Sequence, residues 1–214
     1  MLATLLAGFL TGGSLIVAIG AQNAYVLRQG ILRHHIGAVV LVCAVSDAVL
    51  IAAGVSGIGA IVDRAGWVVD VVRWLGVAFL LWYAAHSLRR AFRAESLHAD
   101  RTGGATPDSR RTVVGRAVAL TWLNPHVYLD TVLLVGSIAA THSGPVDGFG
   151  AGVVDGRWAF GVGAMLASVA WFSGLGFGAR ALAPLLARPR AWLVLELVIA
   201  ATMLFVAAKL AFDF

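Results

Sequence analysis

Twenty-seven residues pass before the first charged side chain, Arg28. An uncharged, mostly apolar run of that length exceeds the ~20 residues that a helix needs to cross the hydrocarbon core of a bilayer. Similar runs recur along all 214 residues. Only 13% of the chain is charged, 60% is hydrophobic and the mean hydropathy is +0.88. Soluble domains carry about 25% charged residues, so this chain lacks the polar surface that water requires. In lipid the backbone must satisfy its own hydrogen bonds, and apolar runs of this length do so as helices. The fold class expected is therefore all-α, a polytopic membrane protein.

Six segments are long enough to span: about Leu2 to Leu27, Ile36 to Val62, Gly66 to Ser87, Ala117 to Ala140, Trp158 to Ala179 and Ala191 to Ala208. The third is the weakest, because Asp70 and Arg73 crowd its start; without it the chain would have five spans. An Arg-rich stretch with "HADRTGGATPDSR" inside it reads as a flexible linker. The organisation expected is a three-helix group at 1–88, a cytoplasmic linker at 89–116 and a second three-helix group at 117–214. Because three is odd, the second group enters the membrane in the opposite sense, as in the inverted repeats of secondary carriers. "NAYVL" at Asn23 to Leu27 and "NPHVYL" at Asn124 to Leu129 echo each other in the first span of each half.

The net charge of +5 is not a nucleic-acid signature, since the basic residues lie in short stretches between apolar runs. Twelve Lys and Arg fall on the side of the linker, against four (Arg64, Arg73, Arg157 and Lys209) on the other. The positive-inside rule then places the linker in the cytoplasm and both termini outside. With Cys43 replaced first, cysteines near Gly103 should resist a membrane-impermeant thiol reagent in intact cells, and cysteines near Gly144 should label. The opposite pattern would reverse the orientation. No basic region precedes the first run, so it reads as a retained helix rather than a signal peptide.

The polar residues inside these runs carry the chemistry. In "TWLNPHVYLD" (Thr121 to Asp130), Asn is a favoured helix N-cap and Pro a favoured first helical residue. Asn124-Pro125 then marks the end of one half-helix and the start of another, whose free N–H groups would seat a carboxylate. The other reading is a plain proline kink. In "AIGAQNAYVL" (Ala18 to Leu27), Gly20 relaxes the backbone, Asn23 caps a second half-helix and Gln22 offers an amide to a cavity. Alternatively, Gln22 and Asn23 only bond a neighbouring helix.

Asp47 and Asp130 are the sharper signals. An ionisable side chain in a span costs about 2.5–3.5 kcal/mol on insertion scales and by default points to function, unless an interface solvates it. Asp130 stands six residues beyond Asn124, about 9 Å along a helix. One spot for a carboxylate and one for a cation describe an amino acid with a basic side chain. Glu196, near Arg188 and Arg190, reads as a snorkelling or paired interface residue. His126 beside the break either bonds locally or relays protons. Gly8-x3-Gly12 and Gly174-x3-Gly178 favour close helix packing. Cys43, the single cysteine, reads as a small buried hydrophobe, and no disulfide, thiolate cage, phosphate loop or hydrolase motif is present. No enzymatic chemistry, metal or cofactor is called for.

Taken together, "AIGAQNAYVLRQG", "SDAVL" around Asp47 and "LNPHVYLDT" resemble the LysE-type family of L-lysine and L-arginine exporters, over essentially the full length. A sister branch exporting neutral amino acids has Pro-Gly-Pro where this chain has Gly20-Ala21-Gln22. The resemblance implies a multi-pass carrier of the bacterial inner membrane that moves basic amino acids outward. It also implies a substrate path through Gln22, Asn23, Asp47, Asn124, Pro125, Tyr128 and Asp130. Proton exchange is the expected coupling. The partners expected are the basic amino acid, the coupling proton and the lipid bilayer, with no nucleic acid and with homo-oligomerisation left open. The alternative is a cation or metal-ion exporter of the same fold, although few His and one Cys argue against a soft metal.

Overall fold

The computed structural model describes residues 1–17, 21–57, 66–92, 108–124, 127–147, 152–182 and 189–212. Eight α-helices lie among them: α1 (Leu2–Ile16), α2 (Ala21–Leu32), α3 (Ile36–Val55), α4 (Gly66–Phe92), α5 (Arg110–Trp122), α6 (Val135–Thr141), α7 (Gly156–Gly178) and α8 (Pro189–Phe212). A π-helical stretch, Tyr128–Leu134, leads into α6, and a 3-10 turn, Ala179–Leu182, follows α7. By length and composition α3, α7 and α8 are each able to cross a membrane, and α1 with α2 adds a fourth crossing if the pair is one span. The chain is an all-α membrane protein with one small addition that its sequence did not suggest. This is an antiparallel hairpin of β1 (Pro145–Asp147) and β2 (Val153–Asp155), with Val146 opposite Val154.

The first segment is broken, as its Gly and amides suggest. The axes of α1 and α2 differ by 85°. The two halves nevertheless follow one neighbour. Gly8 lies against Phe160 and Gly12 against Ala164, Asn23 meets Trp171, and Gly30 lies against Gly176. The contacts of the pair thus advance in one direction along α7. Glycine is required at Gly8, because a Cβ there would stand 1.9 Å from the Phe160 carbonyl oxygen. At Gly174 and Gly178, by contrast, a Cβ would meet nothing within 4 Å, so only the first of the two small-residue spacings packs against another described element.

The fourth segment is broken too. α5 ends at Trp122, and the π-helical turn restarts the chain after Asn124. Pro125, expected as the first helical residue, and His126, read as a local bond or a proton relay, lie outside the described residues. The π-helical backbone packs on α3 at Gly54, where a Cβ would come within 2.6 Å of the Val132 carbonyl oxygen. π-Helical turns are uncommon and frequent at functional sites.

Both helices flanking the linker run into it: α4 continues to Phe92 and α5 starts at Arg110. Ser109 caps α5 by accepting from the Thr112 N–H at 3.2 Å. Tyr25 then donates to the Val113 carbonyl at 2.9 Å, tying α5 to α2. The main core lies between these elements and includes Tyr25, Val39, Cys43, Tyr83, Leu120, Phe172 and Met203. Cys43 is fully buried there, as a small hydrophobe would be.

Glu196 is paired, as one of its two readings had it, but with a partner on another helix and away from the surface. It does not snorkel. It is fully buried and accepts from Arg28 Nε at 2.8 Å, and the Arg28 side chain is only 7% exposed. Arg28 belongs to α2 rather than to a loop. The two charges are buried because they neutralise each other across the packing of α2 on α8.

Candidate transport cavity

The two breaks open onto a cavity of about 250 Å³. Drug-sized ligands occupy pockets of about 300–1,000 Å³, so this volume suits a solute of amino-acid size. Its lining brings together Gln22, Asn23, Asp47, Asn124 and Asp130, five of the seven residues singled out from the sequence. Apolar walls come from Phe172, Phe205 and Val206. Tyr128 is not in the lining, and Pro125 is outside the described residues.

Each polar group is held by the helix geometry around it. Asp47, on α3, is 5% exposed. Its Oδ2 accepts from Ser168 Oγ of α7 at 2.6 Å. The neighbouring Ser46 Oγ accepts from Trp122 Nε1 at 3.0 Å, which fastens the last turn of α5 to α3. Asp130 is the exposed carboxylate of the two and sits on the π-helical stretch, whose wide turn is closed by the Val135 N–H bonding to the Asp130 carbonyl. Asn124 accepts from the Val127 N–H at 3.1 Å through its own carbonyl.

Asn23 does not cap the start of α2, which begins two residues earlier at Ala21. Its Nδ2 turns back and donates to the Ile16 carbonyl at 2.8 Å, the last residue of α1, while its Oδ1 accepts from Trp171 Nε1 at 3.2 Å. A broken helix leaves carbonyls without partners at its C-terminal end, and in a membrane these are as costly as the free N–H groups. Tyr128 does the same at the second break, donating to the carbonyl of Trp122, the last residue of α5, at 2.9 Å. At each break a side chain beyond it thus satisfies the end of the helix before it.

Gln22 is different. Its Nε2 is buried and makes no hydrogen bond to a nitrogen or oxygen among the described residues, with only the weakly accepting Cys43 thiol beside it. A buried amide donor left open in a cavity wall is a place for an acceptor from a solute.

Two residues of this region were missed from sequence. Ser168 is fully buried and sets one oxygen of Asp47; a lone serine in "MLASVAWF" is the only signal it leaves. Lys209, counted above as an external basic residue, lies in the last turn of α8 and lines the cavity. Its signal was a cation within four residues of a helix end, which is also how a loop lysine looks.

The family model described as LysE type translocator matches residues 13–213. The chain belongs to the LysE-type translocator family. It is accordingly a multi-pass protein of the bacterial inner membrane, a translocator rather than an enzyme by family. The chain is 38% identical to the lysine exporter LysE of Corynebacterium diphtheriae, over 96% of this chain and 97% of that one. It is 40% identical to the arginine exporter ArgO of Yersinia enterocolitica, over 99% and 97% respectively. A Mycobacterium tuberculosis protein that carries only the provisional name amino-acid transporter is 44% identical, over 91% and 90%. No solved structure matches the chain.

Proposed function

We propose that the chain is a secondary exporter of basic amino acids, L-lysine and L-arginine, driven by proton entry. The observation that carries this reading is the meeting of Asp47 and Asp130 with Asn124, Gln22 and Asn23 in one cavity at two helix breaks. Full-length likeness to a lysine exporter and an arginine exporter supports it. In this reading Asp47 and Asp130 hold the cationic groups. The breaks around Gln22–Asn23 and Asn124–Pro125 let the path reach polar backbone, with Tyr128 holding the second break in shape. The arrangement 1–88 and 117–214 as inverted repeats around the linker at 89–116 belongs to the same proposal. The paired carbonyl caps from Asn23 and Tyr128 support it.

Charge dictates the coupling. Lysine and arginine are cations at neutral pH, and a respiring bacterial membrane is negative inside. Moving one charge outward against that field costs ~2.3 kcal/mol per 100 mV, so an uncoupled carrier would accumulate these amino acids instead of exporting them. A carboxylate that binds either a proton or an ammonium group exchanges one for the other: protonated outside it releases substrate, deprotonated inside it accepts it. In vesicles holding labelled lysine or arginine at clamped zero potential, a proton gradient directed against efflux of the amino acid should accelerate that efflux at least severalfold. Efflux that ignores the pH gradient and follows sodium or chloride would remove proton exchange but keep the exporter. No efflux of either amino acid would remove the exporter.

A further inference from the structure

Lysine and arginine each carry three charged groups, one carboxylate and two cations. The residues lining the cavity include the complementary three, Asp47, Asp130 and Lys209. We propose that Lys209 is the anchor for the α-carboxylate of the substrate, a specificity-determining residue of the transport site. The proposal rests on the exporter reading and assigns to a side chain the role that the sequence suggested for a half-helix N-terminus.

The charges require such an anchor. A carboxylate entering a cavity with apolar walls loses water and must gain a counter-charge or hydrogen-bond donors in return. Asp47 and Asp130 repel it. Lys209 is the basic residue among the described lining residues, and it stands in the last turn of α8 on a flexible stem that carries three donors. Gln22, whose Nε2 has no nitrogen or oxygen acceptor among the described residues, is a further donor in the same lining. With all three groups ionised the described lining has a net charge of −1, and a bound lysine or arginine of charge +1 neutralises it. A zwitterionic neutral amino acid brings one cation for two carboxylates and leaves that charge at −1. Selectivity for basic substrates follows from this inventory rather than from cavity size alone.

The test compares lysine with 1,5-diaminopentane, which is lysine without its carboxylate. Counterflow of labelled lysine in vesicles gives the half-saturation concentration for lysine and the inhibition constant of the diamine, for the wild type, Lys209→Met and Lys209→Arg. Losing a charge-assisted bond to the carboxylate should weaken lysine by about tenfold or more. The diamine should be little affected, so the preference for lysine over diamine collapses in Lys209→Met and is largely kept in Lys209→Arg. Unchanged lysine affinity in Lys209→Met overturns the proposal. So does an equal loss for both compounds, which would mark a structural lysine. Stronger binding of the diamine alone, with lysine unchanged, would make Lys209 a tethered competitor for the carboxylates and also overturns it. These outcomes are read against wild-type counterflow; its absence would defeat the exporter reading first and the anchor with it.

Discussion

Asp47→Asn is expected to reduce lysine and arginine export to background while folded protein stays near its normal level. Asp47 is buried on α3 and lines the cavity, and Ser168 already bonds one of its two oxygens. The second oxygen and the full charge remain for a solute. Asn has the same shape and its amide oxygen still accepts from Ser168, so the buried hydrogen bond and the packing of α3 on α7 survive. What disappears is the negative charge. A buried cation deprived of its counter-charge loses about 3 kcal/mol of binding, roughly a hundredfold. A proton-exchange cycle loses more, because an amide does not take up and release the coupling proton. Counterflow and net efflux separate these effects. If the carboxylate only binds substrate, counterflow at saturating lysine recovers; if it also carries the proton, efflux driven by the gradient stays absent. Wild-type transport by Asp47→Asn would make the residue a structural partner of Ser168 and leave the chemistry to Asp130.

The features readable in the sequence are those that hydrocarbon punishes locally. Uncharged runs located the helices, and Gly, Asn and Pro inside them located both breaks, because a broken backbone in lipid needs such residues at the break itself. Asp47 and Asp130 were legible for the same reason. Which group each amide would satisfy was not. Asn23, three residues after Gly20, is compatible with capping either half-helix, and its side chain bonds Ile16 and Trp171 instead of the start of α2. Partners remote in the chain left no local trace: Ser168 reaches Asp47 across 121 residues, and Arg28 reaches Glu196 across 168. Helices that are apolar all round do not advertise which face meets protein and which meets lipid. A cation near a helix end, such as Lys209, is ambiguous for a related reason. The same residue can face the headgroups or turn into a cavity, and its neighbours in sequence do not decide between them.

The buried pair of Arg28 and Glu196 should have the largest effect on stability. Removing one partner of a buried ion pair costs about 3–5 kcal/mol, because the remaining charge stays desolvated, whereas replacing both by apolar groups of similar volume is often neutral or better. Glu196→Gln should therefore lower the melting temperature in detergent strongly and reduce the yield of folded protein. Arg28→Met with Glu196→Leu should recover most of that loss. A transport measurement on the double variant then asks a second question. Arg28 lies six residues along α2 from Gln22, about 9 Å, so the pair sets where the cavity-lining end of α2 sits relative to α8 and Lys209. If the pair only holds these helices together, the stable double variant transports at near the wild-type rate. If transport is lost while stability is regained, the ion pair must break and re-form as the cavity changes the side to which it opens. A Glu196→Gln variant that melts with the wild type would show instead that the guanidinium is well served by its other surroundings and that this contact contributes little to holding the two halves of the chain together.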